Sequence, residues 1–461
     1  MACSSSVRPF SPDEAFRIVH QLQQPAVFLN MTKDWPVLQW TAEHLSHCLL
    51  EKRVKFRLGR KEETNTPLFE TQCCFVSATL GQFLRWTEGR TRTEEVGPFC
   101  DYKKLEYWAY ADYKYIAEVF EEQPSMFQDV RWSDFGFQGR DGRDSTLWVG
   151  TEGANTPCHL DSYGCNLVLQ VQGRKRWRLF PPEDSSKLYP TRIPYEESSV
   201  FSRVDVLNPD LDRFKDFSAA REHCVTLLPG QVLFVPRHWW HFVESVDPVT
   251  VSVNSWIELD VDDEARISEA VTRAVVCAFK TAPSEDNADD WLNPTETGVT
   301  SHSENMQYLN LALSSFSQRH FPSSKHLPHL SRHALPSKRH VTGQILPQNP
   351  PPPLPFGPHL IPVNCPLPES RGETCKRTRK CAIARQKTEK DVGFLEGAGQ
   401  CTSVVICDGG KEDREGADEE LVHVTLSTND LLDCLLHPDV MNRVTELLVQ
   451  RHTGARTTAQ D

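Results

Sequence analysis

The sequence has no apolar run long enough to cross a membrane, and its mean hydropathy over 461 residues is -0.47. The first ten residues include Ser4, Ser5 and Ser6 and have no apolar core of the kind that a secretory signal carries. We therefore expect a protein with neither a membrane span nor a signal peptide. The low hydropathy also predicts that only part of the chain folds into a globule.

Paired cysteines of zinc-site spacing are absent. The 15 cysteines are scattered along the chain, and none forms a C-x-x-C pair. Cys375 with Cys381 and Cys401 with Cys407 share the same spacing, but no further Cys or His completes a tetrahedral set beside them. We interpret the cysteines as reduced thiols of an intracellular protein.

The chain also lacks an excess of positive charge. It has 50 Lys and Arg residues against 63 Asp and Glu residues, which gives a net charge of -13. Such a chain does not attract nucleic-acid backbones or anionic lipids as a whole. Any contact with a nucleic acid would need a local basic patch.

Tryptophan is missing from the last third of the chain. All 11 Trp lie at or before Trp291, whereas 13 of the 32 Pro lie between Pro322 and Pro368. Because proline removes amide donors and disrupts helices and central strands, we predict a disordered, proline-rich linker over residues 286–415. We interpret its basic run, Lys376 to Lys380, as part of the solvated linker, with a nuclear-import signal as the alternative.

Apolar residues at helical spacing return within residues 416–461. They lie on both sides of Pro438, and Ser427 is a candidate N-cap in front of them. We predict a pair of short amphipathic helices. Docking on the folded domain is the favoured interpretation, and binding to another protein is the alternative.

The first 285 residues carry the patterns of a folded domain. A capping box at Ser11 to Glu14 predicts a helix, and apolar spacing predicts two more, from Ser77 to Trp86 and from Ala265 to Phe279. Glycine and proline separate six short β-rich runs: Leu147 to Val149, Leu167 to Val171, Arg176 to Phe180, Val225 to Leu228, Val232 to Val235 and Thr250 to Trp256. Many short strands with outer helices predict a mainly β fold with α additions, namely a β-barrel or jelly roll.

A metal-binding pattern lies in the string T-P-C-H-L-D at residues 156–161. The period-two alternation of a strand places His159 and Asp161 on one face, where both can bind one ion. The candidate third ligand is His241, which follows a predicted strand, and spacing does not exclude His238 instead. Two histidines and one carboxylate leave three octahedral positions open, which is typical of non-haem Fe(II) oxygenases.

The same tripeptide pattern recurs at His437-Pro438-Asp439. Its central proline and helical surroundings do not place two ligands side by side on a strand, and no third ligand is evident near it. We therefore do not predict a metal site there.

A ferrous site of this type needs an organic electron donor, and a carboxylate-bearing donor needs a buried cation. Along the run from Gly173 to Phe180, alternation places Lys175 on the apolar face. We predict that its ammonium binds the carboxylate, supported by the Thr156 hydroxyl and the Asn166 amide. On the last predicted strand, Asn254 is a polar group directed into the barrel.

Three arginines, Arg174, Arg176 and Arg178, occupy the opposite face of the Lys175 strand. We interpret them as a solvated strand face, with a contact to RNA or an acidic peptide as the alternative.

Taken together, these motifs resemble the JmjC group of Fe(II)/2-oxoglutarate oxygenases. The similarity covers about residues 11–281 and is carried by T-P-C-H-L-D, Asn166, G-R-K-R-W at 173–177, L-F-P-P at 179–182, P-G-Q-V-L-F-V-P at 229–236 and W-W-H at 239–241. It is greatest for the small hydroxylase branch, which includes the asparaginyl hydroxylase of hypoxia-inducible factor and the tRNA wybutosine hydroxylase. Relative to the hypoxia-factor enzyme, this chain has one extra residue between Asp161 and Asn166.

The resemblance implies a double-stranded β-helix of the cupin type. Residues 1–110 would form a helical and strand support, and residues 111–285 the JmjC barrel with the helix that follows it. Within the barrel, the resemblance implies that His159, Asp161 and His241 bind Fe(II). Thr156 and Lys175 would bind the distal carboxylate of 2-oxoglutarate, and Asn166 and Asn254 would support the bound co-substrate. Tyr107 would make a further contact with it.

The implied reaction is hydroxylation, coupled to conversion of 2-oxoglutarate to succinate and CO₂. Protein side chains are the first expected substrates and a tRNA base the second. Methyl-lysine demethylation ranks third, because no zinc-binding reader domain accompanies the barrel.

Two longer strings, from Trp108 to Tyr113 and from Pro194 to Phe201, resemble a JmjC branch that is associated with a small heat-shock protein. That resemblance implies a small heat-shock protein as partner, a link to the stress response and a cytoplasmic location. A homodimer through the helices after the barrel is a further expectation. The rival hypothesis is a non-catalytic scaffold that keeps the barrel and holds this partner.

Overall fold

Two antiparallel β-sheets form the centre of the chain in a computed structural model. The structure describes residues 8–62, 64–281, 298–321, 353–364 and 427–453. The strands in these ranges are β1 (Ala26–Phe28), β2 (Arg53–Arg60), β3 (Cys74–Thr79), β4 (Tyr107–Tyr115), β5 (Thr146–Thr151), β6 (Asn155–Asp161), β7 (Cys165–Gln172), β8 (Lys175–Phe180), β9 (Pro190–Glu196), β10 (Ser199–Ser202), β11 (His223–Leu227), β12 (Val232–Val235), β13 (Trp240–Ser245), β14 (Val249–Ile257) and β15 (Leu360–Pro362).

Helices cover the outside of the sheets. Those of the described ranges are α1 (Pro12–Gln21), α2 (Ala42–Leu49), α3 (Leu80–Thr87), α4 (Thr93–Val96), α5 (Ile116–Val119), α6 (Asp263–Thr281), α7 (His302–His320), α8 (Thr428–Leu435) and α9 (Pro438–Thr453). None of them combines the length and the apolarity that a membrane span requires. The mainly β architecture with added helices agrees with the predicted fold class.

The strand order explains how distant residues meet. One sheet runs β15-β1-β12-β7-β14-β5-β4-β2-β3, and the other runs β11-β8-β13-β6-β10-β9. Apolar side chains of both sheets, such as Val168 and Leu233 of the first and Trp177 and Leu179 of the second, form a buried core cluster between them. A larger apolar core packs the outer face of the nine-stranded sheet against the N-terminal helices.

Local sequence signals account for several helix ends. The capping box of Ser11 and Glu14 is present at the start of α1, as predicted. The predicted helix start at Ser77 is wrong, because Ser77 lies in β3 and pairs with β2. Thr79 caps α3 instead, in a reciprocal pair with Gln82.

The N-terminal region and the barrel share one sheet. Residue 110 lies inside β4, which pairs with β2 on one side and with β5 on the other. A division of the chain at this residue therefore does not correspond to a boundary in the structure.

Two elements lie within residues 286–415, which the proline content assigns to a linker. Helix α7 packs against α6, burying Leu309, Leu313 and Phe316. Strand β15 pairs with β1, and the following Val363 is buried in the core between the two sheets. The basic run at 376–380 lies outside the described residues.

Strand β15 also closes the edge of the nine-stranded sheet. On its outer side Pro362 has no amide hydrogen, and the backbone groups of Leu360 bond to Gly357 at 3.3 and 3.1 Å. The β1 edge is therefore covered by a strand that offers few groups for further pairing.

The C-terminal helices dock on the folded part of the chain, as their amphipathic pattern predicts. Leu432, Leu436 and Met441 are buried in one cluster with Tyr195 of β9 and Ile267 of α6. All cysteines that the structure describes are free thiols.

Candidate metal centre

Neighbouring strands bring the predicted histidines together. Strands β6 and β13 pair so that His159 lies directly opposite His241, and their imidazole centroids are 4.2 Å apart. Asp161 follows two residues after His159, on the same face of β6 and next to β10. The site therefore lies in the six-stranded sheet, on the side that faces the other sheet.

The donor atoms of His159, Asp161 and His241 all lie within 4.8 Å of one another. His159 Nε2 is 3.9 Å from Asp161 Oδ1. Within the described ranges, no other group of three His, Cys, Asp or Glu residues converges in this way. His238, the competing nitrogen in the sequence, has its Nε2 2.9 Å from the carbonyl of Ser162 and is not part of the group.

The backbone fixes both imidazoles in the form that binds a metal. His159 Nδ1 donates to the Pro157 carbonyl at 2.9 Å, and His241 Nδ1 donates to the Trp239 carbonyl at 3.0 Å. Because a carbonyl can only accept, each Nδ1 carries a hydrogen, and in a neutral ring the lone pair is then on Nε2. Such outer hydrogen bonds orient metal-binding histidines in proteins.

The carboxylate is oriented in the same manner. Asp161 Oδ2 accepts a hydrogen bond from Trp256 Nε1 at 3.2 Å, which leaves Oδ1 directed at the histidines. Burial, together with the neighbouring His241, lowers the pKa of His159 to about 3, and burial raises the pKa of Asp161. At neutral pH both effects disfavour an isolated charge at the site, which a bound cation would offset.

A cavity of about 1010 Å³ extends from these three residues. Lys175 lines it and is only 2% exposed. Its ammonium donates to Tyr110 Oη at 3.1 Å and to Ser252 Oγ at 2.8 Å, so neither partner is a carboxylate. Burial lowers the pKa of Lys175 to about 7.

Further polar groups surround the same cavity. Thr156 and Tyr110 both line it. Asn254 donates to Asn166 Oδ1 at 2.9 Å and accepts from Trp148 Nε1 at 2.8 Å. The structure thus brings Thr156, Lys175, Asn166 and Asn254 to one cavity with the three candidate ligands.

Comparison with known proteins agrees with this geometry. The family model described as a cupin-like domain matches residues 12–262, more than half of the chain. The chain belongs to this cupin-like, JmjC-type family. A zebrafish protein named HSPB1-associated protein 1 homolog is 56% identical, covering 97% of this chain and 98% of that protein. The human HSPB1-associated protein 1 is 49% identical over 96% of this chain and 94% of its own.

A more distant relative is similar over about half of the chain. Lysine-specific demethylase 8 of zebrafish is 32% identical, covering 51% of this chain and 53% of its own. The full-length similarity to the HSPB1-associated proteins therefore includes the regions beyond the barrel, whereas the demethylase similarity covers about half of the chain.

One predicted residue of the cupin-like site lies elsewhere. Tyr107 does not line the 1010 Å³ cavity; it packs against Tyr102 and borders a second, smaller pocket. Alternation along β4 places Tyr107 and Tyr110 on opposite faces, and Tyr110 is the tyrosine that contacts Lys175. Tyr107 therefore lies outside the cavity of the three candidate ligands, whereas Tyr110 lies inside it.

Several other cavity residues were not predicted as site residues. Ser252 and Trp256 share the face of Asn254 on β14, so alternation along this strand identifies them once Asn254 is placed. Trp148 and Asp112 come from β5 and β4. No local motif marks these two residues, because their role depends on strand pairing.

Each of the three arginines on and next to β8 has an acidic partner. Arg174 contacts Asp247 at 2.7 Å, Arg176 contacts Glu244 at 3.4 Å, and Arg178 forms an ion pair with Glu222. These pairs support the interpretation of a solvated strand face, since each guanidinium already has an acidic partner.

Proposed function

We propose that this chain is an Fe(II)- and 2-oxoglutarate-dependent dioxygenase that hydroxylates a protein side chain. The observation that carries the proposal is the convergence of His159, Asp161 and His241 beside a buried lysine in one cavity. Two neutral imidazoles and a carboxylate are the donor set of facial-triad ferrous sites. A closed zinc site would use a fourth protein ligand, and the group contains three.

The residues present fit both the metal and the co-substrate. His159, Asp161 and His241 would hold the ferrous ion, and Lys175, Tyr110 and Thr156 would hold the distal carboxylate of 2-oxoglutarate. An ammonium with only hydroxyl partners gains most from a carboxylate ligand. When bound, the two groups supply oxygen activation coupled to decarboxylation, which yields succinate and CO₂.

The chain's own side chains orient these groups and limit the access of water. The Nδ1 hydrogen bonds of the histidines hold both rings, and Trp256 holds the carboxylate of Asp161. The side-chain amides of Asn166 and Asn254 are hydrogen-bonded to each other. A fixed polar site in a half-enclosed cavity needs little reorganisation during the reaction.

The size of the cavity and the names of the relatives support a protein substrate or partner. A volume of about 1010 Å³ exceeds that of a small co-substrate and leaves room for a side chain. Relatives similar over nearly the whole chain are named HSPB1-associated protein 1, so we propose a small heat-shock protein as partner. The cytoplasm, which the sequence resemblance implies, is the proposed location. The paired arginine stripe does not favour a tRNA substrate.

The test is succinate formation from 2-oxoglutarate by purified protein with Fe(II), with and without HSPB1, followed by mass spectrometry of HSPB1. We expect metal-dependent succinate and a mass gain of one oxygen atom on the partner. His159→Ala is the inactive control, and His437→Ala is the matched control at the second H-x-D string. Binding of HSPB1 without metal-dependent succinate would support the scaffold hypothesis instead.

A further inference from the structure

A buried ion pair borders the co-substrate pocket and has no role in the function proposed above. Arg57 Nε lies 2.6 Å from Asp112 Oδ2, and the residues are 0% and 5% exposed. The free energy lost when two charges are removed from water is often larger than the free energy gained from their attraction. Such a pair is therefore not readily explained by its contribution to stability alone. Its position beside the cavity suggests a function.

Arg57 connects three strands around the pocket. Its Nη2 donates to the carbonyl of Asn155 at 2.9 Å, and Asn155 directly precedes Thr156 on β6. Its guanidinium carbon lies 5.8 Å from the centre of the Tyr110 ring on β4. One side chain of β2 therefore fixes the spacing between the strands that carry Tyr110 and Thr156.

Asp112 lies on the same face of β4 as Tyr110 and lines the cavity together with Lys175. It is the acidic group that acts on Lys175, favouring the charged ammonium against the effect of burial. Lys114 donates to the backbone carbonyl of Asp112, not to its carboxylate. The carboxylate is therefore held by Arg57 and remains within the electrostatic range of Lys175.

We propose that Arg57 and Asp112 are positioning residues of the 2-oxoglutarate pocket: Arg57 aligns the strands of its walls, and Asp112, held by Arg57, supplies a carboxylate to the cavity that Lys175 also lines. This inference rests on the proposed function, because it concerns how the same pocket holds a carboxylate.

Other groups near Lys175 must be considered in a pH experiment. The polar and titratable groups that line the cavity with it include Tyr110 and Asp112 of β4, Thr156, His159 and Asp161 of β6, Asn166 of β7, His241 of β13, and Ser252 and Asn254 of β14. Further titratable residues also line this cavity, namely Lys55, Tyr113, Lys114, Tyr115, Glu118, Tyr163, Glu196, Glu197, Glu258, Arg266, Glu269, Arg273 and Tyr308. Glu70 lies behind Asp112, at 3.8 Å from Arg57. Among these groups, Asp112 is the acidic residue whose charge raises the pKa of Lys175, and it can be neutralised without removing a candidate ligand or a hydroxyl partner of Lys175.

The experiment measures the affinity for 2-oxoglutarate between about pH 6 and pH 9 by calorimetry, on protein loaded with Ni(II), which binds imidazole but does not turn over. The nickel content is measured at each pH. The variants are Asp112→Asn and Asp184→Asn. Asp184 is a matched control, because it is also buried and ion-paired, with Arg221 and Lys187, but does not line the cavity.

We expect the wild-type affinity to fall as the pH rises above about 7, where Lys175 loses its proton. In Asp112→Asn the fall should begin about 1 pH unit lower, and the affinity at pH 8 should be about tenfold weaker. Asp184→Asn should follow the wild type. If the affinity of Asp112→Asn for 2-oxoglutarate depended on pH in the same way as that of the wild type, the inference would be overturned.

A failure of the proposed function gives a different result, since the wild type would then not bind 2-oxoglutarate at any pH. If Asp112→Asn does not fold, the double variant Arg57→Met, Asp112→Leu replaces the whole pair by apolar groups, which a buried site tolerates better than a single unpaired charge. In this double variant, the affinity for 2-oxoglutarate should likewise begin to fall at a lower pH than in the wild type. A double variant without this shift would also overturn the inference.

Discussion

The two H-x-D strings of this chain have similar distances between their His and Asp side chains but differ in burial and in the presence of a third ligand. On β6, His159 Nε2 lies 3.9 Å from Asp161 Oδ1. At the start of α9, His437 Nδ1 lies 3.7 Å from Asp439 Oδ2. The first pair is largely buried and meets His241 from the next strand. The second pair is exposed, with 59% and 89% of the side-chain surface accessible, and belongs to no group of three ligands in the described residues.

The hydrogen bonds around each histidine separate the two strings further. His159 Nδ1 donates to a carbonyl, so its Nε2 is free to bind a metal. His437 Nδ1 instead accepts the backbone amide of Asp439 at 3.3 Å. A motif therefore becomes a candidate site through its third ligand, its burial and its fixed tautomer, not through the spacing of two residues.

The largest expected effect separates these two strings directly. His159→Ala removes one of three metal donors, so we expect at least an approximately 100-fold loss of succinate formation, above the range for losing an outer hydrogen bond. His437→Ala should leave the rate unchanged, as measured by chromatography of the succinate. A comparable loss in both variants would remove the distinction between the strings.

The second-largest effect is expected from replacing the buried cation, Lys175. Lys175→Met keeps the length of the side chain but removes the charged hydrogen bond to the carboxylate, which is worth about 1.5–3 kcal/mol. We expect roughly 50-fold weaker binding of 2-oxoglutarate and little change in Ni(II) affinity, both measured by calorimetry. If the affinity for the metal fell and that for 2-oxoglutarate did not, the assigned role of Lys175 would be wrong.

A smaller effect is expected from the hydrogen bond to Asp161. Trp256→Phe keeps an aromatic ring beside the site but removes the donor to Oδ2. Loss of such an outer partner usually weakens metal affinity by about 10-fold or more. Titration with Ni(II) tests this, and an unchanged affinity would mean that the carboxylate is oriented by other contacts.

The helices around the second string should have the smallest effect on the metal site. Leu432→Ala removes a fully buried side chain, so the free energy of unfolding should decrease by about 2–4 kcal/mol while Ni(II) affinity stays the same. Leu431→Ala is the matched control, since its side chain is 46% exposed. Thermal and denaturant unfolding measure both variants, and loss of metal binding in Leu432→Ala would connect the two regions.

Short-range patterns in the sequence were sufficient to predict much of the candidate site. Alternation along a strand grouped His159 with Asp161 and separated Lys175 from the arginines beside it. The order of strand, turn and histidine gave His241 as the candidate third ligand and left His238 open, and the structure excludes His238. Tyr110 was missed because β4 was not recognised as a strand, so the faces of Tyr107 and Tyr110 could not be assigned.

Features that depend on distant contacts could not be predicted in this way. Arg57 is fully buried because Asp112, a residue of another strand, neutralises it, and a lone arginine in a sequence usually indicates the surface. Strand β15 has only three residues and follows a proline run, so its pairing with β1 depends on tertiary contacts. Local patterns thus predict which face a residue occupies, whereas strand pairing determines what it meets there.

The most direct test of the metal centre is anomalous diffraction from crystals soaked with Mn(II) or Co(II). We predict one strong peak about 2.0–2.3 Å from His159 Nε2, Asp161 Oδ1 and His241 Nε2, the usual range for metal–nitrogen and metal–oxygen bonds. No peak at these three atoms, or a peak at His437 and Asp439 instead, would contradict it.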